Sequence, residues 1–325
     1  MTYNNKAKLK TLYVKQLLEQ ETDEEHGLSM RQLIQRLAEL GIKAERKSVY
    51  RDIEVLQEFG CNIRTYQRNP VEYALVKRSF DLSELMLMVD AVQSCKALTT
   101  RQVNALVSQI KQLASSHQQE LLDRHIHVPD RIRTKAESVF GNIDVIHQAL
   151  REKRQLEFTY YRRGLDGKRT ATRQGRPHVV TPVEVVYADG FYYLTAWDQD
   201  HGNMAEYRVD RMGKARLSQS RAVRNEQISH YVYGGNEFLS FGRYGGEEVC
   251  ATLRVCVDRI EIVTDRFGDV DIIPVDDQTA HAFVRVRKSQ QFFGWVAGLD
   301  KKVTIAGPQS LVDEYRSYLR GLLEE

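Results

Sequence analysis

The chain has 325 residues with 47 lysines and arginines against 44 aspartates and glutamates, and its net charge of +3 excludes a histone-like or polybasic protein. Its hydrophobic content of 42% is enough for packed cores and excludes global disorder, while no apolar run reaches the roughly 20 residues that span a bilayer. We therefore expect a cytoplasmic protein without a signal peptide, a membrane segment or a disulfide framework, since its four cysteines are scattered.

The charge is unevenly distributed along the chain. Residues 1–78 carry a net +3, residues 79–150 a net −1, residues 151–225 a net +6 and residues 226–325 a net −5. We interpret these segments as four separate parts of an α+β multidomain protein. The near-neutral total conceals two basic segments and an acidic end.

The first segment has the element pattern of a winged helix. Apolar spacing predicts a helix over residues 6–20, and Ser29 has the character of an N-cap for a second helix from Met30 to about Leu40. A third helix is predicted over residues 45–59 and ends before Gly60. The short turn between the second and third helices fits a helix-turn-helix. Two strands, 61–66 and 72–76, would form the wing.

The third helix has one apolar stripe, formed by Val49, Ile53 and Leu56, and basic residues in its first half. The helix dipole favours the reverse order of charge, so this polarity indicates a helix whose first turns enter a DNA groove. The candidate DNA-binding residues are Ser29, Arg31, Arg46, Lys47, Ser48, Tyr50, Arg51, Arg64 and Arg68. A small three-helix bundle with solvated charges is the alternative. Residues 46–56 also resemble the recognition helix of DeoR-type winged-helix regulators, Thr-Val/Ile-x-Arg-Asp-Leu-x-x-Leu, with Ser48 and Ile53 as conservative replacements.

The second segment is predicted to be helical. A helix opens at Asp81-Leu82-Ser83, another extends from Thr100 to about Leu122, and a third covers residues 143–150. Their apolar stripes are compatible with an intramolecular core or with a dimer seam. We expect no metal site, because His125 and His127 have no third candidate ligand nearby.

The third segment changes to the alternating pattern of strands. Strands are predicted from Gln155, over residues 178–187 with a bend at Pro182, over residues 191–197 after an Asp-Gly hairpin turn, and over residues 205–212. Several short antiparallel strands within about 70 residues indicate a small barrel.

The same segment resembles the WYL domain. That family pairs a Trp-Tyr-Leu strand with a later Phe-Arg-Leu-Asp-Arg-Ile strand, which correspond here to residues 192–194 and 207–212, with Tyr192 in place of Trp. The resemblance implies an Sm/SH3-like barrel that senses a ligand in a bacterial transcription factor, and some relatives are thought to bind single-stranded nucleic acid there. A net charge of +6 with interleaved aromatics suits such a strand, because arginine pairs with phosphate and tyrosine stacks on bases.

We expect the ligand, a single-stranded oligonucleotide or a small anionic effector, to contact six residues of the barrel. These are Tyr160, Arg163, His178, Tyr193, Arg208 and Arg211. On the predicted fourth strand Arg208 alternates with Tyr207 and Val209 and points away from them. Each residue has a structural alternative: Tyr193 as barrel core, His178 as a structural histidine, and Asp210 as the ion-pair partner of an arginine.

The fourth segment reads as α+β. Strands are predicted over 249–257, 270–274, 280–287 and 303–306, with helices over 259–267, 290–299 and 310–323. Asp258 and Ser310 are the expected N-caps of the first and last of these helices. The segment resembles the C-terminal extension of WYL regulators, WCX, which implies a ferredoxin-like fold engaged in dimer contacts. Its net charge of −5 argues against DNA contact and favours docking on a basic barrel.

Together these patterns predict a homodimeric, ligand-responsive transcription regulator, taken as a repressor, that binds inverted half-sites in double-stranded operator DNA. Phosphate-loop, nucleophile-elbow and zinc-protease motifs are absent from the sequence, so we expect neither an enzyme nor a cofactor. The alternative is a nucleic-acid-binding accessory protein that modulates a defence or repair enzyme. Some WYL proteins are encoded beside phage-defence genes, so the resemblance implies phage defence as one biological context.

Overall fold

The computed structural model describes residues 3–125, 133–231, 233 and 246–324. The chain divides into two compact units, Met1–Gly141 and Asn142–Glu325. Each unit is a mixture of helices and antiparallel strands, as the sequence predicts for an α+β protein. The two units are described separately below.

The first unit begins with three helices and a small antiparallel sheet with the strand order β1-β3-β2. These elements are α1 (Tyr3–Glu21), β1 (Leu28–Ser29), α2 (Met30–Glu39), α3 (Arg46–Glu58), β2 (Ile63–Tyr66) and β3 (Glu72–Leu75). The predicted helices and hairpin are confirmed within a few residues. Strand β1 is an addition that the sequence did not indicate, and it pairs Leu28 with Tyr73 and Ser29 with Glu72.

The core of these elements follows the predicted stripe of α3. Val49, Ile53 and Leu56 are all buried against apolar residues of α1 and α2. The N-cap prediction for α2 is also confirmed: the backbone N–H of Gln32 donates to the hydroxyl of Ser29, and the Gln32 side chain accepts from the Ser29 backbone in return. Two orphan donors at the start of α2 are satisfied in this way.

The rest of the first unit is helical. The helices are α4 (Leu82–Ser94), α5 (Thr100–Lys111), α6 (Ser116–His125) and the start of α7 (Val139–Glu152), which continues into the second unit. The predicted single helix from Thr100 to Leu122 is wrong, because the chain breaks between α5 and α6. At the break the buried hydroxyl of Ser115 donates to Asp23 at 2.6 Å and accepts from the backbone of Gln118. Those two bonds favour a cap over a continuous helix.

The second unit starts with a curled antiparallel sheet, in which the long strand β4 pairs with β5, β6 and β9. Its elements are β4 (Arg154–Arg163), β5 (Arg169–Ala171), β6 (His178–Ala188), β7 (Phe191–Asp198), β8 (Asn203–Arg208), β9 (Met212–Arg221) and the short helix α8 (Glu226–Ser229). Because different stretches of β4 pair with different neighbours, the sheet curls around this strand into a half-barrel.

Two predicted details of this sheet are confirmed. Strand β6 has a register irregularity between Pro182 and Glu184, where the sequence predicts a bend. The turn between β6 and β7 has positive φ at both central residues, 52° at Asp189 and 86° at Gly190, which is the geometry that an Asp-Gly pair favours in a tight hairpin.

The predicted fourth strand over residues 205–212 is confirmed up to Arg208 and is wrong beyond it. Strand β8 ends at Arg208, and Val209–Arg211 form a 3-10 turn before β9 begins at Met212. Val209 and Asp210 are both buried, and such consecutive burial is incompatible with the alternation of a strand that has one exposed face. Asn142 on α7 holds the turn, since its side-chain amide donates to the carbonyls of Val209 and Met212 at 3.3 and 3.1 Å.

The last part of the second unit is a four-stranded antiparallel sheet with the order β11-β12-β10-β13. Its elements are β10 (Glu248–Cys256), α9 (Ile260–Phe267), β11 (Asp271–Pro274), β12 (Thr279–Arg287), α10 (Gln290–Ala297), β13 (Val303–Gly307) and α11 (Gln309–Gly321). The predicted elements are confirmed, but both predicted caps are wrong. Asp258 lies inside a 3-10 turn before α9, and α11 begins after Pro308, so Ser310 lies within its first turn.

Candidate functional site

A cavity of about 830 Å³ opens on the curled sheet of the second unit. Five of the six predicted ligand residues line it, namely Tyr160, His178, Tyr193, Arg208 and Arg211. The sixth, Arg163, is exposed outside the lining, and its guanidinium donates to the carbonyl of Gly167 at 2.8 Å. Residues that the sequence did not single out complete the lining: Arg162, Thr172, Arg173, Asp198, His201, Asn203, Ala205, Glu206 and Tyr207.

The floor of the cavity is a cluster of buried rings. The rings of Phe158 and His178 stack with centroids 5.5 Å apart, and the ring of Tyr207 stands edge-on to both. Tyr160 packs edge-on against Tyr207 at 5.2 Å, and its hydroxyl accepts from the backbone N–H of Arg208 at 3.1 Å. Because these rings are more than nine-tenths buried, they form a rigid wall for a ligand and do not offer free faces for stacking.

Asp198 at the end of β7 is buried in this wall, and three side chains bond to its carboxylate. Its Oδ2 accepts from the hydroxyl of Tyr207 at 2.7 Å and from the guanidinium of Arg173 at 2.7 Å, and it lies 2.9 Å from Nδ1 of His201. Burial alone would raise the pKa of Asp198, but the hydrogen bonds from Tyr207 and His201 and the charge of Arg173 outweigh it and lower the pKa to about 2. Asp198 is therefore an anion at physiological pH.

His178 is a neutral member of the floor. Burial, assisted by the charge of Arg173, lowers the pKa of His178 to about 4. The hydroxyl of Thr172 donates to the carbonyl of Tyr160, so it accepts from Nε2 of His178 at 2.9 Å, which assigns the proton to Nε2. The structural alternative considered for His178 thus matches its buried, hydrogen-bonded setting, although the ring also lines the cavity.

Two of the four cavity arginines are held by carboxylates. Arg173 reaches Asp198 and also Asp200, the latter at 2.6 Å. Arg208 forms a bidentate pair with Asp210 at 3.0 and 2.9 Å, and its guanidinium lies 3.4 Å from the centre of the Phe191 ring. The alternative in which Asp210 pairs with an arginine is confirmed by this contact.

The other two cavity arginines, Arg162 and Arg211, are exposed. Neither guanidinium forms a hydrogen bond or ion pair with another residue in the described part of the chain. Arg162 lies near the end of β4, and Arg211 ends the 3-10 turn that follows β8. The Asp198 anion in the cavity wall is already paired with Arg173. Arg162 and Arg211 can therefore bind an anion without first breaking an internal ion pair.

Sequence patterns could have indicated only some of the cavity residues that the sequence analysis did not select. Tyr207 belongs to the WYL-like motif and faces the core, whereas Arg173 sits in an irregular turn (Thr172–Gly175) in which Arg173 and Gln174 have φ of 52° and 54°. The contact between Arg173 and Asp198 joins residues that are 25 positions apart in the chain. Such a long-range pair has no periodic signature in the sequence.

In the first unit, four of the predicted DNA-binding residues are exposed cations. Arg31, Lys47, Arg51 and Arg64 have side chains that bond to no other residue in the described ranges. Lys47 and Arg51 lie one turn apart on the solvent side of α3, opposite its buried stripe. They are available for contact with a phosphate backbone.

The other predicted DNA-binding residues have partners within the fold. Both guanidinium contacts of Arg46 go to the hydroxyl of Tyr50, at 3.1 and 3.0 Å. The hydroxyl of Ser48 contacts Lys10 on α1, and Arg68 pairs with Glu72 at 2.8 Å. The Ser29 side chain is engaged in the capping box of α2. These side chains therefore already have hydrogen-bond or ion-pair partners within the protein.

Within the described residues, no helix is long and apolar enough to cross a membrane. Groups of three or more His, Cys, Asp or Glu side chains arranged to hold a metal ion are also missing from that part of the chain. His127, considered above for a metal site, lies outside the described residues.

Comparison with known proteins identifies two domains. The family model of the WYL domain matches residues 141–217, and that of the WCX domain matches residues 247–323. The curated proteins contain no match.

Two solved structures have a distant likeness. Proteasome accessory factor B/C (PafBC) of Arthrobacter aurescens is 17% identical, with a TM-score of 0.27, over 93% of this chain and 45% of that one. A crystal structure of a CRISPR Cas-related protein is 15% identical, with a TM-score of 0.35, over 76% of this chain and 74% of that one. The chain thus spans less than half of the PafBC chain, and at these TM-scores neither likeness bears on function. The two family matches identify the second unit: this chain contains a WYL domain followed by a WCX domain.

Proposed function

We propose that the chain is a ligand-responsive, DNA-binding transcription regulator. Its parts would be a winged helix-turn-helix over residues 1–78, a helical connector over 79–150, an Sm/SH3-like WYL barrel over 151–225 and a ferredoxin-like WCX domain over 226–325. The helices and hairpin of the first part, the half-barrel around β4 and the strand order β11-β12-β10-β13 support these assignments.

The observation that carries the proposal is the pair Arg162 and Arg211 in the cavity of the WYL domain. Both are exposed cations above a rigid aromatic floor, whereas Arg173 and Arg208 already have carboxylate partners. An anionic ligand such as a short single-stranded oligonucleotide would pair its phosphates with Arg162 and Arg211. Tyr193, which is only half-buried at the cavity wall, is the ring best placed to meet a base.

The DNA contact in this proposal is made by α3. Lys47 and Arg51 on its outer side would meet phosphates and base edges in the major groove, and Arg31 and Arg64 would contact the backbone beside it. A homodimer would read an inverted repeat, and ligand binding in the WYL cavity would change DNA affinity, so that the protein acts as a repressor relieved by its ligand.

We propose binding and not catalysis for the WYL cavity. A general acid or base needs a pKa near the working pH, and Asp198 and His178 have values of about 2 and 4. Asp198 is further committed to Tyr207 and Arg173. These two groups are suited to maintaining the wall of a binding site.

A duplex-selection assay with the full chain tests the proposal. Random double-stranded DNA is enriched for bound sequences with and without a set of short single-stranded oligonucleotides. We expect an inverted-repeat consensus whose enrichment changes when the oligonucleotides are present. Turnover of the oligonucleotides, or the same enrichment in both arms, would contradict the proposal.

A further inference from the structure

The sheet of the WCX domain has one covered face and one open face. Strand residues such as Leu253 on β10 and Val284 on β12 point inward and pack under α9, α10 and α11. Because side chains alternate along a strand, the residues between them point to the opposite face. Arg254, Phe283 and Arg285 on that face are all exposed.

Phe283 occupies the middle of this open face. It lies on β12, one of the two central strands, opposite Thr252 of β10, and 44% of its surface is exposed. Arg285 is the next outward residue along β12, and Arg254 is the diagonal neighbour of Phe283 on β10. Each arginine is therefore within reach of a molecule that stacks on the Phe283 ring.

The strands of the open face carry one more cation than anions, although residues 226–325 carry a net charge of −5. They present Arg254, Arg285 and Arg287 against Glu248 and Asp271. Arg254 forms no hydrogen bond or ion pair with another described residue, although a hydrogen bond from Thr279, helped by the charge of Arg254, lowers the pKa of Asp276 in the neighbouring turn. Arg285 has only a 3.8 Å contact with Glu248 between exposed groups. Such a contact is weak and easily exchanged for a phosphate.

We propose that this open face of the WCX domain binds single-stranded nucleic acid. A base stacks on Phe283, and Arg254 and Arg285 pair with the phosphates on either side of it. A lone exposed phenylalanine is ordinary on a protein surface. An aromatic ring in the middle of an open four-stranded sheet, flanked by arginines, is the arrangement with which sheets bind unpaired bases. This site is distinct from the WYL cavity and goes beyond the function proposed for it.

Charge decides between nucleic acid and a second copy of the chain as the occupant. In a two-fold symmetric dimer the face would pack on itself and bring Arg254 and Arg285 of one copy toward the same basic face of the other. Desolvating like charges in this way is unfavourable, whereas a polyanionic strand neutralises them.

The test measures fluorescence anisotropy of labelled single-stranded RNA and DNA of about 12 nucleotides. The full chain carries Arg162→Gln and Arg211→Gln in every sample, so that binding in the WYL cavity is suppressed. On this background we expect Phe283→Ala, and separately Arg254→Gln with Arg285→Gln, to weaken binding about tenfold or more. The arginine pair should also lower the slope of log affinity against log salt by about 1.4, two phosphate contacts for a single strand.

The matched control is Arg316→Gln with Arg320→Gln, which removes the same charge from the exposed side of α11 on the helical layer. It should bind as the background protein does, and unchanged melting temperatures should accompany all three variants. Equal binding by the control pair and the Arg254/Arg285 pair would overturn the proposal. A change in oligomeric state for Phe283→Ala with unchanged oligonucleotide binding would also overturn it and assign the face to a second copy. A lower affinity for DNA than for RNA would support the proposal and identify contacts with the ribose hydroxyl.

Discussion

The hydroxyl of Tyr207 donates a 2.7 Å hydrogen bond to Oδ2 of Asp198 across the floor of the WYL cavity. Both groups are almost completely buried. Tyr207 belongs to the strand motif that resembles the WYL family, and Asp198 ends the neighbouring strand β7. The bond therefore ties the two strands together at the point where Arg173 and His201 also meet Asp198. It is the central polar contact of the cavity wall.

Tyr207→Phe removes one donor from a buried carboxylate and leaves the ring packing intact. Because hydrogen bonds to charged groups contribute more than neutral ones, we expect the free energy of unfolding to fall by about 2 kcal/mol. Denaturant unfolding of the full chain measures this change. Tyr161→Phe is the matched control on the same sheet, since its hydroxyl bonds to no other described residue, and it should change stability by less than about 0.5 kcal/mol. Equal effects of the two substitutions would contradict the role given to Tyr207.

Stability should depend on pH through His178. Its pKa is about 4 in the folded protein against a usual 6.5, so the unfolded chain binds a proton in this range that the folded chain does not. The free energy of unfolding is then expected to fall as the pH is lowered from about 6.5 to 4, by up to about 1.4 kcal/mol per pH unit. Asp198, with a pKa of about 2 against 3.8, adds a further loss only below about pH 4.

Denaturant unfolding at several pH values measures this slope. His178→Gln should have a shallower slope between pH 6.5 and 4 than the unsubstituted chain. His147→Gln replaces an exposed histidine on α7 and should keep the full slope. A His178→Gln protein with the original slope would show that another group titrates.

Arg208 and Arg211 are expected to behave differently although both line the cavity. Arg208→Ala leaves the buried carboxylate of Asp210 without its bidentate partner, so it should lower the free energy of unfolding by about 2–3 kcal/mol. Arg211→Ala removes an exposed side chain and should change stability by less than about 0.5 kcal/mol. Thermal and denaturant unfolding compare the two directly. A stable Arg208→Ala protein would contradict the structural role assigned to the Arg208–Asp210 pair.

Arg51→Ala should weaken binding to double-stranded DNA and spare the fold, because its side chain is exposed on α3 and bonds to no described residue. We expect about a tenfold loss of affinity and a salt dependence reduced by about one phosphate contact. Mobility shifts with the selected duplex measure both quantities. Arg101→Ala removes the same charge from the exposed surface of α5 and serves as the control. Unchanged mobility shifts for Arg51→Ala would count against placing α3 on DNA.

The sequence predicted most elements because they carry local signals. The apolar stripe of α3, the capping residue Ser29 and the Asp-Gly turn before Phe191 each act over a few residues, and each is present in the structure. Five of the six predicted ligand residues line the cavity. Four of these five lie on the successive neighbouring strands β4, β6, β7 and β8, and Arg211 lies in the turn after β8.

The remaining features depend on contacts between distant parts of the chain. The break after α5 follows from the bond between Ser115 and Asp23, and the end of β8 accompanies the bonds that the Asn142 amide donates to the carbonyls of Val209 and Met212. The ion pair between Arg173 and Asp198 likewise links the irregular turn Thr172–Gly175 to the end of β7. Hydrophobic periodicity in the sequence gives no sign of these long-range contacts.

We propose that Arg162 and Arg211 in the WYL cavity sense an anionic ligand that controls DNA binding. Mobility shifts of the selected duplex with and without short single-stranded oligonucleotides test it most directly, with Arg162→Gln and Arg211→Gln in one chain. The control is Arg163→Gln with Arg169→Gln, two exposed arginines beside the cavity but outside its lining. We expect the control to keep the oligonucleotide-dependent change in duplex affinity, and the cavity variant to lose it while basal duplex binding is preserved. A full oligonucleotide response in the cavity variant would show that these two arginines do not sense the ligand.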